Sequence, residues 1–522
     1  MHRCGNPTSA VQNCSGAAVK TLCVVLIVLA SACASLPENY PRTESTALQD
    51  HRSTTMGKRW AALEDQNPGK SGFEIIRYGR AAFTTRLGMI DRAEKTLDLQ
   101  VYIWEADETG RILAERLVRA ADRGVRVRLL VDDMGKGPSD QAIAAINAHP
   151  NIEIRIFNPF AHRGSITFDF VTDLSRVNHR MHNKVIIADN SFAVVGGRNI
   201  GDHYFSVNPK TNFRDLDIAA VGPMVRDVSD VFDHFWQGKW AVPIAVLVEK
   251  KYTEEDLRAG VAQLRQSIAA GSYPYNVDDD LERLAAHFEK IEKEIVWARG
   301  VVVWDDPQTA AKTGETEEII KALRTKLTTV DTAFMIESAY FVIGDRGVEN
   351  LSKMVDKGVE VRVLTNSLVS NDVLAAHAGH ANYRKQLLEA GIEVYELRPD
   401  SGIIKRQWEG EAFAGLHTKA LAFDYESVFI GSFNLDPRSA AINTEAGIYV
   451  ESPELAARLQ AYMDEGVEPR NSYRLKLDDD GDLVWITEND GVEVRYDKDP
   501  LSTFGQRFTS GLIGILPVEG QL

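Results

Sequence analysis

The strongest constraint on this chain is that it is built twice. MHNKVIIADNSFAVVGGRN (181–199) carries His182, Lys184 and Asp189 in the spacing H-x-K-x4-D and ends in a Gly-Gly-x-Asn turn. LHTKALAFDYESVFIGSFN (416–434) repeats it with His417, Lys419 and Asp424, then Gly-Ser-x-Asn. The flanks repeat as well. AADRGVRVRLLVDD (120–133) matches MVDKGVEVRVLTNS (354–367), and NIEIRIFNP (151–159) matches GIEVYELRP (391–399). A lone H-x-K would more often be a surface strand pair; two complete motifs inside a repeat argue for a site. Duplicated units normally pack about a pseudo-two-fold axis, which brings corresponding residues together.

Each copy reads as α/β. FTTRLGMIDRAEK has helical spacing, TLDLQVYIW is an apolar strand, and GRILAERLVRAADRG is a helix stopped at Gly124. VRVRLLVDD, QAIAAINAH and IEIRIFNP follow as strand, helix and strand, and FRDLDIAAVGP supplies one further strand after the motif. AFMIESAYFVI restarts the pattern. Such alternation implies parallel strands covered by helices. The expected fold class is therefore α/β, with two duplicated α/β/α halves, mixed and largely parallel sheets, and the active site between them. At 522 residues two domains are expected. The first half is placed at 71–240 and the second at 301–465. A charged helical connection (241–300), acting as a lid or a membrane-facing element, joins them, and a C-terminal extension (466–522) follows.

On a strand, residues two apart share a face. His182 and Lys184 then point together, as do His417 and Lys419. Two imidazoles and two ammonium groups converging on one spot make a cradle for a tetrahedral oxyanion, most plausibly a phosphate. Asn199 and Asn434 each add an amide donor. One imidazole attacks phosphorus to form a phosphohistidine. The other protonates the leaving alkoxide and then deprotonates the incoming hydroxyl. The cations stabilise the equatorial oxygens, so neither a metal nor another cofactor is required. One histidine must be neutral and the other protonated, which calls for split pKa values. Each imidazole also needs an orienting carboxylate on its far nitrogen. Within the first half Asp215 is the best candidate, with Asp217 second; within the second half Glu445 fits. Asp189 and Asp424 end their strands at turns and read as scaffold.

All four cysteines, Cys4, Cys14, Cys23 and Cys33, stand at the front, so the body has no disulfide, thiolate metal site or cysteine nucleophile. Residues 1–32 have the shape of a secretory signal: a polar start with Arg3 and Lys20, then an apolar run from Leu22 to Ala32. The small residues before Cys33 resemble a bacterial lipoprotein cleavage site, with Cys33 lipidated; an uncleaved anchor is the alternative. Residues 33–70 then read as a polar tether. The expected location is the bacterial envelope, as a membrane-anchored lipoprotein facing the periplasm. A formal charge of −16 argues against nucleic acid as a partner.

The paired H-x-K-x4-D resembles the signature of the phospholipase D superfamily. LDLQVYIW, RMHNKVIIADN, VVGGRNIGDHYF, LTNSLVSNDVLAAHAGHANYRKQLL, FIGSFNLDPRSAAINTE and ILPVE are similar to the bacterial cardiolipin synthase C branch. The resemblance implies catalysis by His182, Lys184, Asp189, His417, Lys419 and Asp424, with His182 as nucleophile and His417 as acid and base. It implies phosphatidyl transfer to phosphatidylglycerol, from phosphatidylglycerol or phosphatidylethanolamine, at a membrane surface. A hydrolase releasing phosphatidic acid shares every catalytic residue and stays open. A nuclease and a non-catalytic lipoprotein fit less well, on charge and on the intact motifs respectively.

Three secondary features carry weaker expectations. Tyr102, Trp104, Tyr340 and Phe341 end matching strands and line either the pocket mouth or the core. His380 lies in a helical stretch with Asn371, Asp372 and His377, and contacts a headgroup or is an ordinary satisfied helix residue. Phe504, Phe508, Leu512 and Ile515 share a helical face that either dips into a membrane or docks on the body.

Overall fold

A computed structural model describes residues 36, 39–164, 166–271, 273–274, 288–405 and 412–516. Residues 1–32, read above as a secretory signal, together with Cys33 and most of 272–287, lie outside the described residues.

Parallel pairing occurs where a helix carries the chain back across the sheet. In the first half Thr96–Trp104, Arg126–Lys136 and Ile152–Phe157 run parallel, joined by helices Glu108–Asp122 and Asp140–Asn147. Asp107 and Ser139 cap those helices through their side chains. The sheet then continues antiparallel through Val185–Ala188, Phe192–Gly196, Asp217–Val221 and Ser71–Ile76. The second half repeats the order. Glu393–Leu397, Glu360–Asn366 and Ala333–Ser338 are parallel; Lys419–Phe423, Ser427–Gly431, Ala446–Glu451 and Val296–Trp304 follow antiparallel. The two-halves α/β reading holds, but the sheets are not largely parallel. Parallel pairing spans three central strands of each half, because the motif itself is a hairpin and hairpins pair antiparallel.

The halves share one sheet and one core. Ser71–Ile76 pairs with Val296–Trp304, Phe73 opposite Val296. Phe73, Ile187, Phe232, Met335, Ile430 and Leu459 belong to one buried cluster drawn from both halves. Burial on this scale, at ~25 cal/mol per Å² of apolar surface, is what fixes the two copies against each other.

Three expected boundaries move. The tether is docked from about Arg42 onward, since the Arg155 and Arg128 guanidiniums donate to the carbonyls of Thr43 (2.7 Å) and Ser45 (2.8 Å). Thr55–Glu64 is a helix within it, burying Met56 and Trp60. The second half begins at Val296 and reaches Ser472–Leu477, which pairs with Glu393–Leu397 as Ala241–Pro243 does with Ile152–Phe157. FRDLDIAAVGP forms two strands, Thr211–Arg214 and Asp217–Val221, broken at Asp215. That break lets Thr211–Arg214 leave its own sheet and pair in parallel with Phe413–Leu416 of the other half.

Asp189 and Asp424 hold turns. Both adopt positive φ, 51° each. The Asp189 carboxylate accepts the amides of Glu94 (2.9 Å), Lys95 (2.8 Å) and Thr96 (2.9 Å). Asp424 accepts those of Asp331, Thr332 and Ala333 in the same way. The donors at Asp189 are more buried than those at Asp424. Asp189→Ala is therefore expected to cost about 3 kcal/mol and Asp424→Ala about 1 kcal/mol, read by chemical denaturation. Equal losses would contradict this account.

Phe504–Ile515 forms a helix resting on Leu374–Ala381. Its apolar face is not docked on the body: Phe504 is 76 % and Ile515 82 % exposed.

Candidate active site

The two histidines lie in extended segments just before the strands that follow them, and each is tied to the opposite half. The His182 amide donates to the Thr444 carbonyl (2.8 Å), and the His417 amide to the Arg214 carbonyl (2.8 Å). The residue after each of those carbonyls is a carboxylate. His182 Nδ1 lies 2.8 Å from Glu445 Oε2, and His417 Nδ1 lies 2.6 Å from Asp215 Oδ2. The relation is reciprocal, as a pseudo-two-fold arrangement requires. It corrects the within-half assignment: Asp215 serves His417 and Glu445 serves His182. The cause is the break at Asp215, which carries Arg214 and Asp215 over to the partner half. Asp217, the second candidate, is instead locked between Arg86 (2.9 Å) and Arg198 (3.1 Å).

The matching family model is described as "Cardiolipin synthase, PLD-like domain" and covers residues 87–236 and 323–466. The chain is 37% identical over 462 residues to cardiolipin synthase C of Escherichia coli (strain K12), covering 88% of this chain and 97% of that one. It is 23% identical over 419 residues to a cardiolipin synthase of Oceanobacillus iheyensis, covering 80% and 72% respectively. Among solved structures, phosphatidylserine synthase of Haemophilus influenzae Rd KW20 shares the fold, with a TM-score of 0.53 at 15% identity over 80% of this chain and 92% of that one. The chain belongs to the phospholipase D-like cardiolipin synthase family.

In this family member the Gly-Gly turn has a steric purpose. A Cβ on Gly197 would lie 2.2 Å from Asp215 Oδ1, and one on Gly196 would lie 2.2 Å from Asp217 Oδ1. The equivalent of Gly197 in the second half is Ser432, and its hydroxyl donates to Glu445 instead. Ser439 donates to the other oxygen of Glu445 (2.9 Å), and Asp305 accepts the Glu445 amide (3.1 Å). Sequence reasoning did not assign these three. Ser432 was visible as the second letter of its turn, but only the fold shows what its hydroxyl meets. Tyr102 stands edge-on to His182 (5.1 Å between centroids), Tyr204 edge-on to His417 (5.1 Å), and Phe213 stacks on His417 (5.2 Å).

The lysines lie where the motif puts them, buried, with Lys184 Nζ donating to the His182 carbonyl and Lys419 Nζ to the His417 carbonyl. The Asn199 oxygen accepts the Ile103 amide (3.1 Å) and its nitrogen donates to the Tyr204 hydroxyl (3.0 Å), which leaves one of its two N–H groups for another partner. Asn434 is buried, and its Oδ1 has no hydrogen-bond partner among the described residues. His380 contacts no headgroup space. It is buried on Glu396 (3.1 Å), which also binds Arg384 (2.7 Å) and Trp485 (2.9 Å). Phe341 and Trp104 are buried, whereas the Tyr340 hydroxyl reaches Asp372 (3.0 Å).

Burial dominates the electrostatics. It holds both imidazoles well below their usual value, and the two lysines add to the effect. It pushes Glu445 up to about 7 and raises Asp215. It lowers Lys184 well below the normal range and Lys419 to about 8. Both imidazoles are shifted the same way, first by burial and then by the two ammonium groups that both face.

Proposed function

We propose that the chain makes cardiolipin from phosphatidylglycerol by phosphatidyl transfer through a phosphohistidine, with phosphatidylglycerol or phosphatidylethanolamine as donor. The observation that carries this reading is the pair of buried imidazoles, each with Nδ1 engaged by a carboxylate from the opposite half. Engaging Nδ1 leaves Nε2 as the nitrogen for chemistry. In the first step Nε2 of His182 attacks phosphorus and the bond to the headgroup oxygen breaks. His417 gives its proton to that oxygen, and the headgroup alcohol leaves. In the second step His417 takes the proton of a phosphatidylglycerol hydroxyl, that oxygen attacks phosphorus, and the P–N bond breaks. Lys184 and Lys419 stabilise the charge on the oxygens around phosphorus.

The phosphodiester favours the protonated form of the acid histidine. Its negative charge offsets the two ammonium groups that depress the imidazoles, so the acid histidine gains its proton as substrate binds. In the free enzyme, Glu445 must be ionised to hold His182, which requires pH above about 7. Lys419 must keep its charge to attract phosphate, which requires pH below about 8. The pH profile of kcat/KM is therefore expected to be bell-shaped, with its limbs near those values. A flat profile between pH 6 and 9 would rule out this control.

The acting surface is read as the membrane face. The exposed Phe504 and Phe508, stacked with centroids 6.2 Å apart, suit interfacial insertion. Phe504→Asp with Phe508→Asp is expected to lower binding to phosphatidylglycerol vesicles about tenfold in a flotation assay. Unchanged flotation would assign the helix another role.

The decisive assay is incubation with phosphatidylglycerol, with and without phosphatidylethanolamine. Cardiolipin as product supports transfer. Phosphatidic acid alone would make the chain a hydrolase, with water resolving the phosphohistidine.

A further inference from the structure

A cavity of about 690 Å³ lies beneath the sheet of the first half. That is a ligand-sized space in an interior that is otherwise close-packed. Leu129 and Ile154 of two parallel strands form its floor. Leu117 and Ile143 of helices Glu108–Asp122 and Asp140–Asn147 form its sides. Leu264 of helix Glu254–Ala269 closes it from above. The lining includes Glu105, Arg111, Lys136 and Asp256, but the wall is mainly apolar, which suits hydrocarbon.

The duplication provides an internal comparison. The helices that correspond to the cavity's sides in the second half are Gly344–Asp356 and Arg384–Glu389. The hollow between those two is lined by Asp345, Glu349, Lys353, Asp356 and Glu389. One fold thus produces a mainly apolar chamber beneath a third helix in one copy and a more open hollow with mostly charged and polar lining in the other. The chamber is therefore not a by-product of the fold. It depends on helix Glu254–Ala269, which belongs to the connection between the halves.

Its position relates it to the active site. Trp104, at the end of strand Thr96–Trp104, lines the chamber and also a small gap that contains Lys184. Tyr102, two residues back on that strand, is the ring that stands edge-on to His182. The end of this strand therefore borders both the chamber and the ring beside His182.

We propose that this chamber takes one acyl chain of the phospholipid whose phosphate lies between His182 and His417. The assignment rests on the phosphatidyl-transfer reading above and adds to it where the lipid's hydrocarbon goes.

Photo-crosslinking tests it on the unaltered full chain. Phosphatidylglycerol with a diazirine near the end of one acyl chain is expected to label peptides from 111–117, 141–154 or 256–267. Labelling confined to other segments would overturn the assignment. A second measurement reads selectivity: Ala114→Trp and Leu264→Trp, both at the chamber wall, partly fill it. Each is expected to raise KM for dipalmitoyl relative to dihexanoyl phosphatidylglycerol at least tenfold, and an unchanged ratio would count against the chamber. If the protein turns over neither lipid, the transfer reading fails while crosslinking still decides the chamber. If either variant does not fold, crosslinking again decides.

Discussion

His182→Ala and His417→Ala are each expected to reduce cardiolipin formation by roughly 10,000-fold, because each removes a group that no neighbour can replace. The two losses should differ in kind. With His182 gone, no phosphorus–nitrogen bond forms. With His417 gone, the leaving alkoxide lacks its proton, and a lipid phosphodiester bearing a p-nitrophenyl leaving group no longer needs that proton. Rapid-quench release of p-nitrophenol should therefore survive in His417→Ala and vanish in His182→Ala. The reverse result would exchange the roles of the two histidines. Near-normal turnover by either variant would end the paired-histidine mechanism.

The crossed carboxylates give the second large effect. Glu445→Gln and Asp215→Asn preserve shape but replace one accepting oxygen with an NH2 group and remove the charge that fixes the imidazole tautomer, so each is expected to lower kcat by about 100- to 10,000-fold. Because Glu445 lies on His182 and Asp215 on His417, the p-nitrophenyl substrate should restore the burst in Asp215→Asn and fail to restore it in Glu445→Gln. Within-half pairing would produce the opposite pattern, so this one comparison reads the three-dimensional connection from kinetics.

The two pairs are symmetric in backbone and asymmetric in surroundings. His182 and Glu445 lie among the hydroxyls of Ser432 and Ser439, whereas His417 lies between the rings of Tyr204 and Phe213. Hydroxyl donors stabilise an ionised Glu445, which favours a proton held on His182 Nδ1 and a lone pair on Nε2. In the proposed mechanism the aromatic walls beside His417 would keep water from the base, and so protect a phosphohistidine on His182 from hydrolysis while the second lipid binds. A duplicated scaffold has thus been differentiated by a few side chains per half.

Much of this was legible in the sequence, for physical reasons that can be named. Strand and helix periodicities of 2 and 3.6 are local, so Thr96–Trp104, Glu108–Asp122 and their repeats could be read directly. The motif residues His182, Lys184, His417 and Lys419 were legible because duplication gave each an echo. Asp189 and Asp424 were legible as scaffold from their place at the ends of strands before turns. What failed was any inference that needed to know which segment lies beside which. Asp215 and Glu445 were found, but attached to the wrong histidines, because proximity in sequence was taken for proximity in space. Nothing local reveals Tyr204 as a partner of Asn199.

By itself, then, the sequence determined that there are two α/β copies and that His182, Lys184 and Asp189 in one are repeated by His417, Lys419 and Asp424 in the other. Only the tertiary structure decided that each half completes the other's histidine. It also decided that a mainly apolar chamber lies under the first copy. Both depend on contacts between residues hundreds of positions apart, 263 for His182 with Glu445 and 202 for His417 with Asp215. Such contacts follow from how the sheets pack, and the local periodicity of a chain does not encode them.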